Sequence, residues 1–505
     1  MVPNRSRLVL LIALPLVGAF ALWGLAMPEA MAGFAQAATG AALGSLGWLV
    51  RLLASAALVL VAWLAIGRHR TARLGAPTDR PAYGVLSWIA MLFAAGMGTG
   101  LVVWGVAEPV THAIAPPGGP MPLPEAARQA MLLTYLHWGL HAWAIYALCG
   151  LVIAWFSFRE GRPTLVSAPL QGLLPGRGRE ALAVGADSLG ILSVTFGLAA
   201  TLAMGIITLR SGLLASGVAD MPPWASLAAL LGVGGIALAS ALSGVGRGIR
   251  LLSSFNLLLA LCLLAAVFAL GPTLELLRLF ADSLVAYLVA LPRLAFSPAP
   301  IAGDAQWTQG WTLTYFLWWL AWGPFVGLFI ARISRGRTVG GYVAGVVLVP
   351  TLASMLWFAG MGGSGLLSLM SEGVSGTLAT AVRSDPTAAT VLMVRGLPAG
   401  DLLGWLAMAL LLIFVITSVD SAIYVLGMMS SGGVENPPVL LRLAWGMALL
   451  LLASAMLTIA SVETARAMAI LGALPYPIIL LLQSAALMTS LRHSAQPVGS
   501  GTPAP

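Results

Sequence analysis

Lysine is absent from the 505 residues, so all 25 basic side chains are arginine. Charge of either sign is scarce, at 8% of residues, where a water-soluble chain carries roughly 25%. With 59% hydrophobic residues and a mean hydropathy of +0.96, the chain cannot cover itself in water. A soluble enzyme or soluble binding module is excluded, and the composition is that of a polytopic membrane protein. The lysine deficit carries no functional message. The net charge of +8 does not read as nucleic-acid binding, because the arginines gather at the ends of apolar runs, and no nucleic-acid partner is expected.

Cysteine is nearly absent too. Cys149 and Cys262 stand alone inside apolar runs, which excludes a disulfide framework and a zinc motif. Each is expected to pack as a small hydrophobe. No paired carboxylates or metal-ligand cluster stands out, so no catalytic residue is assigned and no enzyme activity is expected. The run "LVLLIALPLVGAFALWGLAM" after Arg5 and Arg7 could pass for a signal peptide. Its apolar stretch of about 20 residues exceeds the usual ~7–15, and it reads as a first spanning helix.

What is present in abundance is long apolar runs. Those long enough to cross a bilayer lie at about 8–28, 45–66, 84–108, 129–157, 182–209, 223–246, 251–270, 311–331, 340–362, 402–428, 439–461 and 466–489, an expectation of twelve transmembrane helices in an all-α integral membrane fold. With the N-terminus placed in the cytoplasm, roughly two-thirds of the arginines fall in cytoplasmic segments, which supports both termini inside. The segment 273–296 carries Glu275, Arg278, Asp282 and Arg293. Leu276, Leu277, Phe280, Leu284 and Tyr287 recur on one face with the charges opposite, the pattern of an amphipathic helix near the outer surface. "SDPTAATVLMVRGLP" within 363–401 reads as a short surface helix, and the tail after residue 489 as disordered.

Four stretches carry candidate chemistry. The third span, "MLFAAGMGTGLVVWGVAEP", holds Gly96, Gly98, Gly100 and Gly105, and Glu108-Pro109 closes the run. Small residues permit tight helix packing, but this density favours a locally unwound helix whose carbonyls face a ligand or ion. The fourth span, "YLHWGLHAWAIYALCG", puts Trp138, Tyr146 and Trp143 on one broad face at about 0°, 80° and 140°. In the eighth span, "WTLTYFLWWLAWGPFVGLFIARISRGRT", Trp318, Trp322, Tyr315 and Trp319 fall at about 0°, 40°, 60° and 100°. Gly323-Pro324 is expected to interrupt the helix just past this stripe. Stacked ring faces attract a bulky, weakly hydrated quaternary ammonium. The fourth stretch, "FVITSVDSAIYVLG", places Thr417, Ser418 and Ser421 beside Asp420. The hydroxyls either bond back to their own helix or, with carbonyls from the third span, suit a sodium ion. Glu108 near a span end, Asp187 and Asp420 are the few acidic groups inside spans.

"GMGTGLVVWGVAEP", "HWGLHAWAIYAL", "ALSGVGRGIRLLS", "WWLAWGPFVGLFIARISRGRT" and "FVITSVDSA" each resemble the betaine/carnitine/choline transporter (BCCT) family, in the family's order, from about residue 84 to the last span. The resemblance implies a LeuT-like five-plus-five inverted repeat with two extra N-terminal helices. Its parts would be an N-terminal segment 1–83, a first repeat 84–270 (spans three to seven), an interfacial helix 271–300, a second repeat 301–489 (spans eight to twelve) and a short cytoplasmic tail 490–505. It also implies a homotrimer in the cell (inner) membrane.

Carried over by position, Trp138, Trp143, Tyr146 and Trp319 resemble the family's aromatic box, and Trp318 and Trp322 its central tryptophan cluster. Gly98 and Gly100 belong to the same substrate site. A sodium site would use the carbonyls of Ala94, Met97 and Phe414 and the hydroxyls of Thr417 and Ser418. The sequence departs from the pattern where two-sodium members place two threonines, since Val194 and Leu198 stand there, with Thr195 and Thr201 on other faces. No arginine lies deep in the relevant spans, against the sodium-independent antiport mode. Choline-type members carry Asp where Gly100 stands, so a zwitterion is favoured. The long basic tail of osmotically regulated members has no counterpart here.

The resemblance therefore implies secondary active uptake of a trimethylammonium or sulfonium zwitterion, with sodium as coupling ion and no other cofactor. The alternatives are sodium-independent choline or carnitine-type uniport or antiport, and a non-transporting membrane sensor. The motifs leave open which of betaine, dimethylsulfoniopropionate, choline or carnitine is the cargo.

Overall fold

The computed structural model describes residues 4–96, 98–243, 246–297, 299–459 and 461–494. Among them the chain is all helical, with one isolated β-bridge between Arg73 and Thr338. In chain order the helices are α1 (Asn4–Ala26), α2 (Pro28–Ile66), α3 (Val85–Gly96), α4 (Thr99–Ile114), α5 (Leu123–Trp138), α6 (Leu140–Phe158), α7 (Gly176–Ala215), α8 (Pro223–Ser243), α9 (Gly246–Leu270), α10 (Thr273–Phe296), α11 (Ala305–Ile333), α12 (Val339–Glu372), α13 (Thr377–Ser384), α14 (Ala389–Arg395), α15 (Gly400–Ser430), α16 (Val439–Leu457), α17 (Val462–Ala473) and α18 (Tyr476–Ser494). Among the described residues nine helical stretches, with α5 and α6 counted as one, are long and apolar enough to cross a bilayer, or eleven spans when two bent pairs are each taken as one. The pairs are α9/α10, bent by 112°, and α17/α18, bent by 40°. This is a multi-pass membrane protein.

Burial sorts the helices into an inner and an outer set. In their most apolar stretches α5/α6 and α7 are 94% buried, whereas α1 is 28% and α8 33% buried. The outer helices turn side chains such as Leu11, Leu22, Trp48, Leu52 and Leu231 outward, as a hydrocarbon solvent allows. The inner helices form the wall of the site: α11 packs on α6 and α7, α12 on α4 and α5, and α15 on α7.

Several boundaries differ from the sequence reading. α2 begins at Pro28, with only Met27 between it and the end of α1, because proline suits the first helical turn and no further proline interrupts the helix up to Ile66. At 39 residues it is about 58 Å long, well beyond a ~30 Å hydrocarbon core. Glu108-Pro109 does not close the third span. α4 continues through Pro109 to Ile114, so Glu108 sits inside the protein.

Gly323-Pro324 does not break α11 either. The irregular turn lies earlier, a π-helical turn at Gln309–Leu313. The glycines serve contact instead: a Cβ on Gly323 would meet Cys149 Sγ at 3.0 Å, and one on Gly327 would meet Cys149 Cβ at 2.8 Å. Close approach of α11 to α6 depends on both.

The short helix expected at the surface, α14, is internal. Ala389, Val391 and Val394 are buried, and the Thr390 hydroxyl donates to the Val102 carbonyl of α4 at 2.6 Å. On α10, Leu276 and Tyr287 are buried as the face predicts, but Leu277 is exposed with Leu274, Val285 and Val289. The helix thus has a second, uncovered apolar side. Cys149 is buried, whereas Cys262 is exposed on α9 rather than packed.

The arginine-rich loop after α11 docks on the loop before α3. The Leu74 N–H donates to the Arg337 carbonyl at 2.9 Å and the Leu74 carbonyl accepts the Gly336 N–H at 2.8 Å, while the Arg337 guanidinium lies over Trp88 at 3.8 Å. Gly336 has φ +80°, and a Cβ there would collide with the Arg80 carbonyl; only glycine fits.

Candidate substrate site

The site begins at two helix breaks. Between α3 and α4 the chain is extended at Gly98, with φ −112° and ψ −161°. Met97 lies outside the described residues. Between α5 and α6, Gly139 departs from helical geometry at φ −96°, ψ −134°. A Cβ on Gly139 would lie 2.4 Å from the Tyr135 carbonyl, a backbone clash that demands glycine at the break, and 2.8 Å from Met355 Cε of α12. The break turns the Leu140 N–H outward, where it donates to the Tyr287 hydroxyl of α10 at 3.3 Å.

These breaks and α11 enclose a cavity of about 40 Å³. Trp138, Tyr146, Tyr315, Trp318, Trp319 and Trp322 supply its rings, with Gly98, Thr99 and Gly100 of the broken helix and Val103, Thr201 and Met204 completing the wall. Trp138 and Trp319 meet edge to face at 5.0 Å, and Tyr146 and Trp319 at 5.7 Å. Tyr315 stacks on Trp318 at 6.1 Å and on Trp319 at 6.4 Å. Among the described residues no lining side chain is charged, so a charge in the cavity is met by ring faces and backbone dipoles.

The lining includes seven of the eight residues assigned to the substrate site by sequence. Trp143 is the eighth. It is buried and packs edge-on against Tyr146 at 5.7 Å, outside the lining, so it props a ring rather than presenting one. Thr99, Val103, Thr201, Met204 and Tyr315 are lining residues that were not assigned. Tyr315 was legible, since helical angle already puts it on the tryptophan stripe. Thr201 carries no sequence signal, and its hydroxyl donates to the Gly197 carbonyl of its own helix.

Behind the rings lies a polar cluster that the sequence reading missed. Glu108 is fully buried. Its carboxylate accepts the Trp138 indole N–H at 2.7 Å and the Tyr315 hydroxyl, and lies 2.7 Å from His137 Nδ1. His112 Nε2 stands 3.4 Å away. His137 Nε2 is 2.9 Å from the Thr312 hydroxyl, and the His137 carbonyl accepts the Trp319 indole N–H at 2.7 Å. Glu108, His112 and His137 bring ligand atoms within 4.8 Å of one another, the one such triad among the described residues. A divalent ion could use that spacing, but the carboxylate oxygens are already engaged by three hydrogen-bonded partners, so the arrangement works as a brace.

Arg466 of α17 lies over Trp104, Trp311, Tyr315 and Trp318 at 5.0, 5.1, 5.6 and 5.8 Å. A cation from the chain itself therefore stands over two of the cavity rings, and it is a buried arginine beside the site, where the sequence led to none being expected.

Of the five positions assigned to sodium, Met97 is outside the described residues, and Ala94 lies in α3 with only its backbone described. Phe414, Thr417 and Ser418 lie on α15. Ser418 Oγ would be 3.8 Å from a Cβ on Gly98, so α15 abuts the break between α3 and α4. The Thr417 hydroxyl points back to the Ile413 and Phe414 carbonyls at 2.9 and 3.1 Å. Asp420 is buried and bonded through Oδ2 to Ser240 at 2.8 Å. Val194 and Leu198 of α7 are both buried and apolar, and the Thr195 hydroxyl bonds its own helix at the Ile191 carbonyl.

Fold and site together define a membrane-embedded carrier whose charge-free aromatic pocket sits at paired helix breaks. The family model described as BCCT, betaine/carnitine/choline family transporter, matches residues 8–496, and the chain belongs to that family. It is 36% identical to a glycine betaine transporter, OpuD, of Bacillus subtilis, over 95% of this chain and 93% of that one. It is also 36% identical to an ectoine/hydroxyectoine transporter of Virgibacillus pantothenticus over 88% of each chain. An uncharacterised transporter of Mycobacterium tuberculosis shares 39% identity over 89% of this chain and 76% of its own length.

Proposed function

We propose that the chain takes up a quaternary-ammonium or sulfonium zwitterion of the glycine betaine type, coupled to sodium, by alternating access. The observation that carries this reading is the cavity bounded by six aromatic rings and no charged side chain. A trimethylammonium head is held by ring faces. The substrate's carboxylate balances the charge and meets the first N–H groups of α4 at Thr99 and Gly100, where the helix dipole is positive. The glycine betaine transporter of Bacillus subtilis among its relatives supports the same substrate class.

Sodium is treated as a co-substrate bound where α15 meets the broken helix. The carbonyls of Ala94, Met97 and Phe414 and the hydroxyls of Thr417 and Ser418 would hold it. A Thr417 hydroxyl that donates backward leaves its lone pairs facing forward, so the bond to Ile413 is compatible with ligation. Val194 and Leu198 are buried and apolar, so neither side chain offers an oxygen to a second ion, which favours one sodium per cycle.

The same reading pairs α3 and α4 as one broken span. It divides the chain into repeats at 84–270 and 301–489, linked by the 271–300 interfacial segment, with 1–83 preceding and 490–505 as a tail. Both termini face the cytoplasm in a cell-membrane homotrimer. Uptake by purified protein in liposomes tests the function directly, with betaine, choline, carnitine and dimethylsulfoniopropionate offered with and without a sodium gradient. Sodium-driven accumulation of betaine or the sulfonium compound is expected. Sodium-free exchange of choline or carnitine would replace this reading, and binding without flux would point to a sensor.

A further inference from the structure

We propose that Glu108 is a positioning and charge-selecting residue of the aromatic cage: its carboxylate, one ring removed from the cavity, makes the pocket prefer a cationic head group. The proposal rests on the reading of the cavity as a quaternary-ammonium site.

Three helices converge on this side chain. Glu108 lies on α4, Trp138 and His137 on α5, and Tyr315 on α11. Both the Trp138 N–H and the Tyr315 O–H donate to the same oxygen, Oε2, while Oε1 faces His137 Nδ1. Oε2 thus holds two adjoining cavity rings, from α5 and α11, whose centroids lie 5.5 Å apart. The neighbours are donors, and only an ionised carboxylate accepts from all of them without bringing a proton of its own. The Thr312 hydroxyl at His137 Nε2 suits the tautomer whose Nδ1–H points at Glu108.

Two consequences follow for a bound cation. A ring that donates its N–H or O–H to an anion becomes more electron-rich, so its face attracts positive charge more strongly. The carboxylate also acts directly, because a buried charge in a low-dielectric interior is felt across a ring. The Arg466 guanidinium over Tyr315 and Trp318 shows the same rings holding a cation. The titratable and charged groups that face Glu108 are His112, His137, Tyr315 and Arg466, and of these only Tyr315 is itself a lining residue.

Shape and charge are separable by two substitutions. Glu108→Gln keeps the size and removes the charge, while Glu108→Asp keeps the charge and shortens the reach. Glycine betaine binding to the purified full-length protein, read by tryptophan fluorescence, should weaken at least tenfold in Glu108→Gln and stay within about threefold of wild type in Glu108→Asp. Near-wild-type affinity in Glu108→Gln would overturn the proposal, as would equal losses in both variants, which would mean that the residue only fills space. If Glu108→Gln does not fold, Tyr315→Phe removes one donor and keeps the ring. A several-fold weakening is then expected, and unchanged affinity would overturn the idea. Failure of the wild type to bind any trimethylammonium compound would sink the substrate reading itself, a separate result.

Discussion

Gly100 and Trp138 touch across the break in the cage's first helix: a Cβ on Gly100 would lie 2.9 Å from Cη2 of Trp138. Trp138 cannot swing away freely, because Glu108 holds its indole nitrogen. The glycine therefore has a steric role as well as suiting a zwitterion. Gly100→Ala should overpack this contact at a cost of about 1–3 kcal/mol, seen as weaker betaine binding with little change in helix content by circular dichroism. Unaltered affinity would show that the ring yields.

Trp319 contacts both Trp138 and Tyr146 and anchors its own indole N–H on the His137 carbonyl. Trp319→Ala removes a ring face and loosens two others. Substrate affinity should fall about 10- to 100-fold by titration calorimetry. An unchanged affinity would remove the cage from the account of binding.

Thr417 lies one residue before Ser418, at the contact between α15 and Gly98. Thr417→Ala should abolish most sodium stimulation of uptake, and Thr417→Ser should restore it, because only the hydroxyl is required. Wild-type sodium dependence in the alanine variant would place the ion elsewhere.

Tyr287 belongs to α10, yet its hydroxyl caps the amide that Gly139 frees at Leu140. Tyr287→Phe leaves the partly buried Leu140 N–H without this partner, worth about 1 kcal/mol. A lower melting temperature in detergent is the expected result, with the ring contact to Tyr135 at 6.3 Å retained. A melting temperature equal to wild type would mean that the amide finds another acceptor.

Helical angle was enough to put Tyr315, Trp318, Trp319 and Trp322 on one stripe, because side-chain direction within a single helix follows from spacing. Glycine density correctly marked where the third span breaks. The reading failed where the cause lay in another element. Gly323-Pro324 looked like a break, but Gly323 exists for Cys149 and Tyr476. Trp143 shared a broad face with Trp138 and Tyr146, yet its ring is one layer behind. The apolar segment around Val391 looked like a surface helix, and only its packing on α4 and α15 shows it to be internal.

Composition and periodicity alone determined that this chain lives in a bilayer, that it is helical, and that its tryptophans form a stripe rather than a belt. Those properties arise from solvent and from local geometry, which the linear order of residues contains. Tertiary structure decided what stands behind the stripe. Glu108, His137, Trp138 and Tyr315 come from α4, α5 and α11, and nothing in their spacing says that one carboxylate oxygen serves two rings. A hydrogen bond between distant segments depends on how helices cross. Crossing here is set by glycine contacts, such as Gly327 against Cys149, that are visible only once the helices are packed.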